Sequence, residues 1–364
     1  MRVIMTGGGT GGHIYPAIAI ADKILDKSQD SEILFIGTTH GLEKDIVPKH
    51  GYPIKFVSAS GFHRKNMLKN FKTVSDYARG KRKAREIIKE FDPDIAIGTG
   101  GYVSAPVIKA AASLGVRCYI HESNAIPGMT NKMLEDSCEK VFLGFEEAAQ
   151  YFKKQDRLVV TGNPVRAGFF NEDKEEAREK LRIPPEDFTL LAFGGSQGAG
   201  RINKAMLDVI RKYNGVEGVQ IYFGTGRFYY DLIMQELSDM AVTPAGNIHI
   251  MEYISDMQYY LSACDLVVSR SGALTVSEIN TCGKPSILIP SPNVTGDHQT
   301  FNARAVADKG GAVILPEPEL SGESLFSAVD SLRTDRDKLN GMAEQSRKSS
   351  PADAADIIYY SILS

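Results

Sequence analysis

The chain has 364 residues, 43% of them hydrophobic and 24% charged, with a formal net charge of −3. That length suits two domains, and the composition is that of a folded globular protein, which excludes wholesale disorder. A near-neutral total argues against nucleic acid as a partner, and four scattered cysteines without a CxxC pair argue against a metal site.

Short apolar runs rich in Val and Ile recur along the chain, many of them closed by glycine. In the first half, strands are predicted at 3–5, 33–37, 54–58, 94–98, 117–121, 140–144 and 158–162. The stretch NEDKEEAREKL and the pair Pro184-Pro185 then interrupt the pattern. It restarts near residue 187, with strands predicted at 189–195, 219–224, 248–252, 265–269, 286–290 and 312–316. Stretches of helical period lie between most of them. Continuous apolar strands alternating with helices predict α/β domains whose parallel sheets are covered on both faces. The expectation is two doubly wound domains, 1–163 and 164–346, with ligand in a deep cleft between the carboxyl ends of their sheets. The final helix, in 347–364, fits either domain. No apolar run reaches 18 residues and the N-terminus lacks a signal-peptide pattern, which predicts a cytoplasmic protein.

Each half repeats one device of strand, glycine-rich turn and helix. The first turn, Gly7-Gly8-Gly9-Thr10-Gly11-Gly12, contains GxGxxG and ends at His13. Glycines at a helix N-terminus let backbone amides approach a phosphate, and the same pattern also serves as a tight turn. A dinucleotide site would need an acid at the end of the second strand, but that strand ends Gly37-Thr38-Thr39. Cofactor binding is therefore not expected. A second turn, Gly98-Thr99-Gly100-Gly101-Tyr102, ends another strand. The third, Gly194-Gly195-Ser196-Gln197-Gly198-Ala199-Gly200, opens the second half, and no Walker GxxxxGK[ST] sequence is present.

A run in the second half is more telling: Ser269-Arg270-Ser271-Gly272-Ala273-Leu274-Thr275-Val276-Ser277-Glu278. Ser271 is expected to cap a helix whose free amides face a diphosphate, with Glu278 placed to accept two ribose hydroxyls or else to serve as an ordinary helix charge. The loop from Ser291 to Gln299 follows the next strand, at the ligand end of such folds.

At this point GGGTGGHIYPA, GTGGYVSAP, HESNAIPGMTNKML, TGNPVR, FGGSQGAGRIN, SRSGALTVSE and PSPNVTGDHQTFNA occur in an order that resembles the MurG family of bacterial glycosyltransferases. The resemblance spans residues 7 to about 303. It implies a GT-B fold of two Rossmann-like domains, with the last helix returning to the first. It also implies transfer of N-acetylglucosamine from UDP-N-acetylglucosamine to undecaprenyl-diphospho-muramoyl-pentapeptide (lipid I), giving lipid II for peptidoglycan. Carried over by position, uridine contacts fall on Ile254 and Glu278, and diphosphate contacts on Ser196, Arg166, Leu274 and Thr275. Sugar contacts fall on Asn124, Ala273 and Gln299, and Thr10, Gly11 and Gly12 join the donor-binding set. His13, Gly100, Gly101 and Tyr102 match the acceptor side. Two departures bear on the sugar contacts: Ser123 stands where many members have Gln, and His298 precedes the single Gln299.

Inverting transfer needs a base for the incoming hydroxyl and stabilisation of the leaving diphosphate. His13 is the candidate base, or else a residue that only positions the acceptor, and Arg166 is the candidate cation. Asn124 and Glu122 are rivals for positioning, and His121 reads as structural. No metal site is expected, since the Asp-x-Asp run Asp92-Pro93-Asp94 precedes a strand. Residues 62–91 hold ten Lys/Arg against three Asp/Glu, with Leu68, Phe71 and Val74 interleaved. By itself such a segment suits either an ordinary solvated helix with an apolar core face or an anionic membrane surface; a lipid-linked substrate favours the latter, with a peripheral place on the cytoplasmic face of the cell membrane. The charge of the halves agrees: residues 1–163 carry 23 Lys/Arg and 18 Asp/Glu, and 164–364 carry 19 and 27. Other cell-wall enzymes are partners that the resemblance implies.

Overall fold

The structure is a computed structural model. It describes residues 1–61, 67–170, 172–350 and 353–364, and the side chains of 67–70 and 295 lie outside that description. The basic segment 62–91 is therefore described from Met67 onward. Two compact units emerge, Met1–Val165 with Ala352–Ser364, and Arg166–Pro351.

The first unit holds strands β1 (Arg2–Thr6), β2 (Glu32–Gly37), β3 (Ile54–Phe56), β4 (Ile95–Gly98), β5 (Arg117–Glu122), β6 (Lys140–Leu143) and β7 (Leu158–Val160). Its helices are α1 (Gly11–Lys27), α2 (Glu43–Lys49), α3 (Met67–Phe91), α4 (Ser104–Ala112) and α5 (Met129–Leu134), joined by the last helix of the chain. The sheet is parallel, in the order β3-β2-β1-β4-β5-β6-β7. One face packs Val3, Met5, Ile97 and Tyr119 against Ile14, Ile18 and Ile20 of α1. The other packs Ile4, Ala96 and Ile120 against Ile87, Val107 and Leu134 of α3, α4 and α5. Burial on both faces is why these strands read as unbroken apolar runs instead of alternating.

The second unit holds β8 (Phe188–Phe193), β9 (Val219–Gly224), β10 (Ile248–Met251), β11 (Leu266–Ser269), β12 (Ser286–Leu288) and β13 (Ala312–Ile314). Their order is β10-β9-β8-β11-β12-β13, again parallel. Its helices are α6 (Lys174–Leu181), α7 (Gly200–Tyr213), α8 (Tyr230–Asp239), α9 (Met257–Ala263), α10 (Ala273–Thr281), α11 (His298–Ala307), α12 (Gly322–Thr334) and α13 (Arg336–Lys348). Leu190, Ala192, Val268 and Ile287 meet Ile202, Met206 and Ile210 of α7 in its core. All thirteen predicted strands are present, and their carboxyl ends carry the glycine turns.

Helix α14 (Ala354–Leu363) belongs to the first unit, where Ile358 and Ile362 pack beside Ile14 and Ile18. Asp353 caps it, accepting from Ala355 N and Asp356 N, and also meets Lys23 Nζ at 2.6 Å. The two buried apolar side chains contribute about 1.5–3 kcal/mol each, and the ion pair, its side chains 19% and 25% exposed, adds to that anchor. Among the described residues no helix is long and apolar enough to cross a membrane.

Candidate active site

In the first unit, the two glycine turns at the ends of β1 and β4 interlock. Gly8 N donates to Gly100 O at 3.3 Å. Gly100 and Gly101 have φ of +108° and +80°, so both need glycine on backbone grounds alone. A Cβ at Gly100 would also sit 2.6 Å from His13 Nδ1. Thr10 is the N-cap of α1 and His13 lies in its first turn, with His13 N donating to Thr10 O. The Thr99 hydroxyl donates to His13 O at 2.6 Å, and His13 Nδ1 lies 3.2 Å from Thr99 O. A carbonyl oxygen only accepts, so this contact keeps the proton on Nδ1 and leaves Nε2 as the basic nitrogen. The turns thus bring Thr10, Gly11, Gly12, His13, Gly100 and Gly101 together, with Tyr102 exposed beside them.

The next turn, after β5, is organised by a buried carboxylate. Glu122 accepts from Asn124 N (2.9 Å), Asn124 Nδ2 (3.2 Å), Gly128 N (2.9 Å) and Asn131 Nδ2 (2.9 Å). Its oxygens are engaged within the protein, so between the two positioning rivals Glu122 shapes the loop and Asn124 is the one left half-buried at its surface. His121 is fully buried, donates through Nε2 to Gly162 O at 3.2 Å, and is driven down to about 4 by burial. It is neutral at physiological pH and structural.

One carboxylate under these turns was not singled out from the sequence. Glu43, in the first turn of α2, is 1% exposed and accepts from Gly9 N (2.8 Å), Thr38 N (2.9 Å) and Thr38 Oγ1 (2.7 Å). Burial pushes its pKa up, and the bonds from Gly9 and Thr38 more than reverse this, leaving it below the usual carboxylate value. Burying the charge costs several kcal/mol, and three bonds to a charged acceptor, about 1.5–3 kcal/mol each, offset it. In sequence, Glu43 is indistinguishable from an ordinary acid at a helix N-terminus.

The second unit carries an open pocket at the carboxyl end of its sheet. The cavity is about 140 Å³ and is lined by Arg166, Gly195, Ser196, Ile254, Thr275 and Glu278, with Tyr253 and Met257 among the rest. Gly195 has φ +85°, which sets the turn that exposes Ser196. Gly224 leaves room for Ile254, whose Cδ1 would lie 3.0 Å from a Cβ there. Helix α10 makes its first backbone bond from Val276 N to Gly272 O, so the amides of Ala273, Leu274 and Thr275 have no intrahelical partner. Such amides favour a diphosphate. Glu278 stands one turn further, 22% exposed, with Arg166 Nη2 3.9 Å from its Oε1. Burial pushes Glu278 up to about 7, and the nearby Arg166 guanidinium only partly counters it.

One expectation is corrected here. The N-cap of α10 is Gly272, and Ser271 instead donates its hydroxyl to Gln299 O at 2.8 Å. The glycine already supplies the extended cap geometry, which frees the serine to bind the neighbouring loop. Gln299 Oε1 accepts from Ser291 N at 2.8 Å, so the same loop is tied at both ends of this residue. In α9, Tyr259 lies under Lys180 and Tyr260 against Tyr222, leaving Met257 as the member of that helix in the pocket.

A model of the glycosyltransferase family 28 N-terminal domain matches residues 3–143, and one of the family's C-terminal domain matches residues 189–358. The chain belongs to glycosyltransferase family 28. This family 28 chain is 45% identical over 361 residues to the UDP-N-acetylglucosamine--N-acetylmuramyl-(pentapeptide) pyrophosphoryl-undecaprenol N-acetylglucosamine transferase of Desulforamulus reducens, covering 98% of this chain and 97% of that one. The crystal structure of Acinetobacter baumannii MurG matches with a TM-score of 0.79 at 27% identity, over 100% of this chain and 99% of that one. A UDP-GlcNAc 2-epimerase from Neisseria meningitidis matches with a TM-score of 0.70 at 14% identity, over the whole of both chains, which is a likeness of fold. The two Rossmann-like parallel-sheet units of this family 28 chain are of the GT-B class, as the sequence led us to expect.

Proposed function

We propose that this chain transfers N-acetylglucosamine from UDP-N-acetylglucosamine to the C4 hydroxyl of the muramoyl sugar of lipid I, with inversion, forming lipid II. The observation that carries the donor half is the second unit's pocket, where the free amides of α10 and the Glu278 carboxylate stand about one turn apart. That spacing suits a diphosphate and its ribose. The name of the Desulforamulus reducens relative supports the sugar and the acceptor. Ile254 would hold the uracil through its backbone. Ser196, Arg166, Leu274 and Thr275 would hold the diphosphate, and Asn124, Ala273 and Gln299 the sugar. In the first unit, Thr10, Gly11 and Gly12 would join the donor-binding set, and Gly100, Gly101 and Tyr102 would serve the acceptor with His13.

In the reaction, the acceptor C4 oxygen bonds to the anomeric carbon as the bond from that carbon to the UDP oxygen breaks. The hydroxyl proton passes to His13 Nε2, and the electron pair leaves with UDP. The α10 amides and Arg166 offset the charge that develops there. The first unit is the acceptor and membrane unit in this reading, and the second is the donor unit. Helix α3 supports the membrane contact: Phe71 is 77% exposed and Val74 58% in a strongly basic helix. The protein would then work peripherally at the cytoplasmic face of the membrane, where other cell-wall enzymes are its natural partners.

One experiment tests the reading. Labelled UDP-N-acetylglucosamine is supplied with a lipid I analogue in anionic vesicles, with diacylglycerol in the same vesicles, and alone. Product with the lipid I analogue only, and protein that sediments with anionic but not neutral vesicles and less so at high salt, are expected. Transfer to diacylglycerol or epimerised free donor sugar would overturn the activity, and salt-insensitive or absent sedimentation would overturn the membrane contact.

A further inference from the structure

The six-residue turn Gly7–Gly12 has five glycines, and its sequence alone does not select one conformation. The structure shows what selects it. Gly9 has φ +86°, and its amide donates inward to Glu43 Oε2 at 2.8 Å. The other carboxylate oxygen binds Thr38 through both its amide and its hydroxyl, and that hydroxyl in turn accepts from Gly41 N at 3.1 Å. The carboxyl group is enclosed by glycine: a Cβ at Gly8 or Gly37 would lie 2.6 Å from Glu43 Cδ or Cγ, and Gly41 is as tight. Glycines that resemble a phosphate cradle in the sequence thus cradle an internal carboxylate, 34 residues away along the chain. Beyond Gly9 the hydrogen bonds continue outward. Thr10 stands at the N-cap position of α1 without a side-chain capping bond, its carbonyl accepts from His13 N, and Gly8 N fastens the same turn to Gly100, beside His13.

We propose that Glu43 is a positioning residue for the transfer reaction: its carboxylate locks the first glycine turn in the form that sets His13. This rests on the activity and the role of His13 proposed above. The side chain touches no reacting atom and acts through Gly9 and Thr10. A neutral amide at this position must turn its NH₂ toward either the Gly9 or the Thr38 donors, so Glu43→Gln leaves one side of the lock unmade while keeping the volume.

The test compares wild type with Glu43→Gln, and with Thr38→Val as a second variant that keeps the acid and removes the hydroxyl. Three quantities are read: steady-state kcat and KM with the lipid I analogue, UDP binding by calorimetry, and the ¹⁵N resonances of the His13 imidazole, assigned by their loss in His13→Gln. The expected result is a kcat lower by about 10-fold or more in Glu43→Gln, from a broken bond to a buried charged group. A smaller fall is expected in Thr38→Val, with moved His13 resonances in both and UDP affinity within about twofold of wild type. Unmoved His13 resonances would overturn the proposal, whether or not turnover changed. Equal losses of UDP binding and turnover would overturn it too, since they would mark general damage. If wild type transfers no sugar to the analogue, the activity reading fails, and the resonances still decide whether Glu43 sets His13.

Discussion

VIMTGGGTGGHIYPA and LLAFGGSQGAGRIN open the two units with the same strand, glycine turn and helix, and the two turns end in opposite states. In the first, the amide of Gly9 is consumed by Glu43, a carboxylate that the fold inserts from α2. In the second, Gly195 and Ser196 border an open cavity whose other wall is the N-terminus of α10. In the reading proposed above, the first turn serves to mount His13, while the second faces the donor. Glycine content alone does not separate the two uses. What separates them is whether a buried anion of the protein already satisfies the amides.

Substitutions on the two sides should therefore fail differently. The largest effect is expected from His13→Ala on the mounted side. Loss of a general base lowers kcat by about 10²–10⁴-fold. UDP affinity, measured by calorimetry, should stay as in wild type. A variant retaining most turnover at saturating acceptor would remove the base role and reduce the first turn to a binding element.

On the open side, Glu278→Gln should weaken UDP binding by about 10-fold or more, the scale of hydrogen bonds to a charged acceptor. The pH dependence gives its signature. Burial pushes Glu278 up to about 7, so it is protonated below that pH and charged above it. Only the charged form accepts freely from two hydroxyls, so wild-type affinity should rise between pH 6 and pH 8. The same titration on Glu278→Gln should lack that component, and identical slopes would show that Glu278 does not meet the ribose.

The smallest effect is expected from Arg166→Ala. Its side chain is 48% exposed and its pairing with Glu278 is long, at 3.9 Å, so solvent screens much of its field. Turnover should fall severalfold in steady-state assays, more than UDP affinity does, because the charge it offsets develops as the diphosphate leaves. Wild-type turnover would place the stabilisation of the leaving group on the α10 amides alone.

Much of the molecule was legible because its signals are local. Short apolar runs of three to seven residues mark strands covered on both faces, and all thirteen appear where the patterning placed them. The glycine turns were legible for the same reason: positive φ at Gly9, Gly100 and Gly195 is a demand on single residues. Ser271 shows where local reasoning stops. As a serine before a helix it satisfied the capping rule, yet Gly272 takes the cap and Ser271 holds Gln299, because the loop after β12 returns beside it. Glu122 and Glu43 show the same limit for acids.

By itself, then, the sequence determined the alternation of strand and helix, the two-unit plan, the positions of the turns and the residue types available at each. Those follow from hydrophobic period and from backbone preferences, which act over a few residues. Tertiary structure alone decided which turn is filled and which is open. That choice depends on bringing Glu43 to Gly9 across 34 residues, and on setting α10, Ile254 and Ser196 around one cavity. A carboxylate and an amide sense each other only at contact distance, and contact across the chain is what folding supplies.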